Sequence, residues 1–236
     1  MKKTIVFLTV SVTIFAISCN QPKKESQNED KVSKVYARDN NVESADEALQ
    51  LLKEGNKRFV IDQPLPDDIS TNKKKDLKDK GQKPFAVIVT CSDSRVPPEL
   101  IFDQGLGDLF VIRVAGNVID SIEMGSIQYA VEHLESPLVV VLGHENCGAV
   151  KATIAGGEIP GSIPSISCRI LPSVLKAKSV SDNEDNLADR VTDANVEAAV
   201  EILEKDPLLE HLIESGKIKV IGAKYLLETG TVTYFQ

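Results

Sequence analysis

Two short stretches carry the residue types that do chemistry: Cys91-Ser92-Asp93-Ser94-Arg95 and Gly143-His144-Glu145-Asn146-Cys147. Two thiolates and an imidazole make a ligand set that suits zinc. Three protein ligands, Cys91, His144 and Cys147, leave the fourth tetrahedral position to water or substrate, the pattern of a catalytic site. A structural site would want a fourth Cys or His, and Cys168, His133 and His211 all lack metal-motif spacing. Paired disulfides are the competing use of cysteine in an oxidising compartment, so Cys91 and Cys147 could also bridge in metal-free protein.

These residues need a sheet edge to meet. Each stretch follows an apolar run of strand character, Phe85 to Thr90 and Leu138 to Leu142, and parallel neighbours would place Cys91, His144 and Cys147 at one edge. Leu109 to Val114 reads as another strand, Ser121 to Leu134 as a helix between strands, and Ile218 to Ala223 as a fourth strand. Thr231 to Phe235 reads as a short antiparallel edge. The capping form Ser44-Ala45-Asp46-Glu47 opens a helix from Ala45 to Phe59. Asn72 to Lys80 reads as a short solvated helix, Ala149 to Ile154 opens another, and Leu171 to Ala177 and Val191 to Leu203 are helical. Gly156 to Pro164 is a loop. The expected fold is α/β, a mainly parallel four-stranded sheet with an antiparallel edge strand and helices on both faces. Gly105-Leu106-Gly107 lacks the third glycine of a dinucleotide fingerprint and precedes a strand instead of following one, so that reading is rejected.

Cys-Ser-Asp-Ser-Arg followed by Gly-His-x-x-Cys-Gly resembles the β-class carbonic anhydrases, with the likeness running from about Ala45 to Phe235. The resemblance implies zinc-dependent reversible hydration of carbon dioxide to bicarbonate and a proton by zinc-bound hydroxide, with one Zn²⁺ per chain on Cys91, His144 and Cys147. It implies that Asp93 either closes the site as a ligand or pairs with Arg95 and accepts a hydrogen bond from the attacking water. Two thiolates and a neutral imidazole leave the site formally uncharged, so activity should rise with pH through the alkaline range. Ile88 stands where members with a closed state carry Trp, and Gln82, Phe110 and Tyr129 match pocket residues of the always-open, plant-like subclass. Gly148 matches the glycine whose backbone faces substrate, and Arg113 is shared by both subclasses. In the family the Gln, Phe and Tyr cross a dimer interface, which implies a homodimer, or a tetramer of paired dimers, with the N-terminal helix packed on a partner protomer. By pattern alone Phe110 and Tyr129 are ordinary core residues and Gln82 a loop residue.

The chain has 236 residues and a formal net charge of −8. That balance argues against nucleic acid, whose binding needs a basic surface. Residues 1–18 read as a leader: Met1-Lys2-Lys3 is basic, and Thr4 to Ile17 is apolar but short for a membrane span. Ala16-Ile17-Ser18-Cys19 resembles a bacterial lipobox with Cys19 as the lipidated residue, which implies an exported, envelope-located periplasmic protein whose one membrane contact is that lipid. Residues 19–43 are polar and read as a flexible tether spanning roughly 25–30 Å, and 44–236 as the folded domain. Cys168 reads as a half-buried small residue. Two other functions stay open on the sequence: a hydrolase of the same fold acting on CS2 or COS, and a catalytically silent zinc domain that binds anions or a partner.

Overall fold

The computed structural model describes residues 42–158, 160–181, 183 and 185–235. The leader, the lipidated Cys19 and nearly all of the tether lie outside the described residues. Val42, two residues ahead of the expected domain start, is already buried. Among the described residues no helix is long and apolar enough to cross a membrane.

The first helix, α1 (Ala45–Val60), begins where Ser44 accepts a hydrogen bond from the Glu47 amide, and its acidic first turn and basic last turn both oppose the helix dipole. It buries Ala48 and Leu52 in the core of its own protomer. Packing of this helix on a partner, expected from the family, therefore concerns its remaining face. α2 (Thr71–Lys80) is solvated, with no buried residue. The order then runs β1 (Ala86–Thr90), α3 (Pro98–Ile101), β2 (Leu109–Arg113), α4 (Ser121–His133) and β3 (Leu138–His144). It continues with α5 (Gly148–Ala155), α6 (Pro164–Val180), α7 (Leu187–Glu204), α8 (Pro207–Glu214), β4 (Lys219–Tyr225) and β5 (Val232–Tyr234). Two differences from the expectation bear on the site. The third strand runs on to His144, so that ligand is a strand residue held by the ladder. α6 is much longer than Leu171 to Ala177, because Pro164 sits at a helix start where its missing N–H costs nothing.

The sheet order is β2-β1-β3-β4-β5, with the first four strands parallel and β5 antiparallel at the edge. β1 and β3 are buried along their whole lengths, which explains why they read as continuous apolar runs. Their side chains alternate between faces. Ala86, Ile88, Leu138, Val140 and Leu142 join the core under α1 and α3, while Val87, Val89, Val139 and Val141 join the core with α4, α7 and α8. Truncating a fully buried residue such as Ile88 to Ala should cost about 2–5 kcal/mol. α7 lies directly on the sheet: a Cβ at Gly143 would stand 2.6 Å from Val196 Cγ2, so only glycine lets the helix approach. β1 has β2 on one side and β3 on the other, so the chain reverses its winding there. The crevice at the carboxyl ends of such strands is where α/β sheets bind ligands.

Candidate metal centre

Cys91 follows the last residue of β1, His144 ends β3, and Cys147 caps the N-terminus of α5. The register pairs Thr90 with Leu142, which brings the two strand ends level and lets both loops fold over the same edge. All three ligands are buried, His144 completely. Their donor atoms lie within 4.8 Å of one another, the one group of this kind among the described residues. Cys91 and Cys147 are free thiols with sulfurs 4.0 Å apart. Two thiolates about 2.3 Å from a tetrahedral ion would stand close to this separation. His144 Nδ1 meets the Glu145 carbonyl at 2.7 Å, which fixes that nitrogen as the N–H donor and leaves Nε2 with its lone pair. That Nε2 is buried with no hydrogen-bond partner, which suits a ligand awaiting an ion. The donor set therefore fits zinc.

The loop bearing Glu145 is itself held. Its amide donates to the Tyr225 carbonyl at 3.1 Å, and its carboxylate accepts from the Leu227 amide at 2.8 Å. Asn146 supplies the left-handed turn, φ 54°, that brings Cys147 back over the strand ends.

The two sulfurs share their protons unequally. The hydrogen bond from Cys147 is the main cause that lowers the Cys91 thiol to about 4, helped by the Gly116 amide against the cost of burial. Cys147, as donor to Cys91 and as a buried group, is pushed far above the ordinary thiol range. The metal-free pair thus behaves as one thiolate and one thiol, and a bound cation would displace the remaining proton.

Asp93 stands beside this group, its Oδ2 3.9 Å from His144 Nε2. Arg95 grips it from two directions, Nε to Oδ1 at 2.9 Å and Nη2 to Oδ2 at 2.7 Å, and the Arg95 amide also donates to Oδ1. This side-chain fork is the chief reason the carboxyl is held far below the usual range. Arg113, on the last rung of β2, donates to the carbonyls of Cys91 and Asp93 and so pins the whole loop. Its importance was visible in the sequence only through the family pattern.

The expected pocket residues do not join this group within one chain. Gln82 precedes β1 and is exposed, at the opposite end of the strand from Cys91. Phe110 is paired with Val87, roughly 13 Å down the strand from the metal edge. Tyr129 on α4 is 48% exposed and tilts against Phe110, with ring centroids 6.2 Å apart. Gly148 is exposed directly after Cys147, at the start of α5. Cys168 is exposed and not half-buried, because α6 turns Ile170, Val174 and Ala177 inward instead. Sequence reasoning missed Gly116 and Asn195, which touch the site only through the tertiary fold.

The family model described as "Carbonic anhydrase" matches residues 86–232. Carbonic anhydrase 2 of Mycobacterium tuberculosis is 44% identical over 190 residues, covering 78% of this chain and 89% of that one. A carbonic anhydrase of Mycolicibacterium smegmatis is 40% identical, covering 78% of this chain and 90% of its own length. Among solved structures, a Coccomyxa β-carbonic anhydrase in complex with acetazolamide is 27% identical with a TM-score of 0.63, over 79% of this chain and 86% of that one. A tetrameric β-carbonic anhydrase from Sordaria macrospora gives a TM-score of 0.63 at 25% identity, over 70% and 88% of the two chains.

Proposed function

The chain belongs to the β-class carbonic anhydrase family, and from that premise we propose that it hydrates carbon dioxide reversibly to bicarbonate and a proton, as an open-type member with zinc on Cys91, His144 and Cys147. When bound, zinc supplies the Lewis acidity that makes water a nucleophile near neutral pH. Everything else falls to the chain's own side chains. The Glu145 carbonyl keeps His144 in the tautomer that offers Nε2. The Arg95 fork holds Asp93 ionised and turned away from ligation, so its carboxylate can accept a hydrogen bond from a water in the site and aim that water's lone pair at carbon. The peptide of Gly148, exposed beside Cys147, can face the substrate.

The observation that carries the reading is the buried, unpartnered His144 Nε2 within 4.8 Å of two close sulfurs and beside a clamped carboxylate. Stopped-flow CO2 hydration by the chain lacking residues 1–19, with zinc measured on the same sample, tests it. One zinc per chain with turnover that rises into the alkaline range is expected. Full zinc without turnover would sink the activity.

The reading extends to assembly and location. Gln82, Phe110 and Tyr129 lie away from the triad of their own chain and are at least partly exposed, as residues lent to a partner's pocket would be. A homodimer, with further pairing into a tetramer, follows, and sedimentation of the purified chain tests it. The basic and apolar leader and Cys19 support an exported lipoprotein of the bacterial envelope, facing the periplasm and anchored by lipid alone. Cys19→Ser should release the protein from the membrane fraction, and retention there would contradict the anchor.

A further inference from the structure

The Cys91 sulfur has a second neighbour besides the proposed ion. The Gly116 amide N lies 3.2 Å from it, in a buried N–H···S hydrogen bond. Gly116 can make this contact because the chain turns sharply after β2. The single 3₁₀ turn Ala115–Asn117 has Gly116 at φ 71°, ψ 17° and Asn117 at φ 46°, two successive residues in left-handed conformation. Gly116 is also wedged: a Cβ there would stand 2.7 Å from Ile170 Cδ1 and 3.2 Å from Ala149 Cβ. Only glycine satisfies both the backbone angle and the space.

A left-handed turn of this kind needs something to hold it. Asn195, buried on α7, donates from Nδ2 to the Gly116 carbonyl at 2.8 Å. We propose that Asn195 is a positioning residue for the Cys91 ligand, acting through Gly116 to keep a backbone N–H on the sulfur and so set how strongly that sulfur donates to the metal. An N–H pointed at a thiolate draws electron density from it. In a site with two anionic sulfurs, this raises the acidity left to the ion. The arrangement links a side chain in the middle of a helix, 104 positions along the chain from Cys91, to the electronics of the centre. The inference rests on Cys91 being a metal ligand.

The test uses the metal-substituted full-length fold. In protein loaded with ¹¹³Cd²⁺, the Gly116 amide of the wild type should show scalar coupling to cadmium through the N–H···S bond. Asn195→Leu, which removes the donor at similar volume, should lose or weaken that coupling. With Co²⁺ in place of zinc, the same variant should move the thiolate-to-metal charge-transfer band to lower energy, and its zinc affinity should fall about tenfold. Absence of coupling at Gly116 in the wild type overturns the proposal without any substitution. A leucine variant with wild-type coupling and an unmoved cobalt band overturns the role of Asn195. A wild type that takes up neither Cd²⁺ nor Co²⁺ overturns the metal centre itself, and the inference with it.

Discussion

The two ends of β1 are built differently. At the carboxyl end, Cys91, His144 and Cys147 are 5% exposed or less and are tied down by the Glu145 carbonyl and the Gly116 amide, within one chain. Before the amino end and along the β2 edge, Gln82 is open to solvent, Tyr129 is about half exposed, and neither they nor Phe110 reach the triad. The difference teaches that the chain brings Cys91, His144 and Cys147 together by itself, whereas under the proposed function the substrate pocket is completed by a partner. Metal binding should be a property of the protomer, and turnover a property of the assembly.

The strongest way to break this contrast is at the ligands. His144→Ala or Cys147→Ser should take zinc from one per chain to near zero and turnover to the buffer background, as read by metal analysis and stopped-flow. Zinc retained at full level in either variant would show that another group holds it. Asp93→Asn comes next. It should lower turnover about 10²–10⁴-fold, the span of a lost proton-handling group, while leaving zinc content unchanged. Unchanged turnover would remove Asp93 from the chemistry.

The exposed edge sharpens the other half of the comparison. Tyr129→Ala should weaken self-association about 30-fold, as loss of an aromatic anchor worth about 2 kcal/mol would. Zinc per chain should not move, and the activity lost should return at high protein concentration. Equal loss of zinc and activity would erase the division between protomer and assembly.

The smallest effect concerns the metal-free thiols. Cys91 has its pKa lowered to about 4, below the unfolded value of about 8.5, so its ionisation adds stability as pH rises between the two and that stability is lost as pH falls through about 4. Cys147 is raised instead, so its contribution is present below about 8.5 and is lost as pH rises above it. Chelated protein should therefore be most stable near the ordinary thiol range, and thiolate absorbance should show one low step and one high step. Two equal steps near 8.5 would contradict the shared proton.

Some of this was legible before any coordinates. Val87, Val89, Val139 and Val141 announced buried parallel strands because such strands are apolar on both faces, and the cysteines and histidine at the ends of those runs announced a metal. α3 and α8 were not foreseen. α3 is a single turn, Pro98–Ile101, too short to show a period, and α8 is only eight residues long, Pro207–Glu214. The length of α6 was missed because Pro164 reads as the end of a Gly/Pro/Ser-rich loop, yet it is the first residue of the helix.

The sequence by itself determined the ligand types, their order and the strands that deliver them, because side-chain chemistry and alternating burial are local properties. It also carried Arg95 next to Asp93, since a two-residue separation lets the fork close without help from the rest of the fold. Only the tertiary structure decided which nitrogen of His144 is offered, which amide meets the Cys91 sulfur, and that Asn195 stands behind that amide. Those contacts join residues far apart in the chain through packing of α7 on the sheet, and no local pattern records where a helix will come to rest.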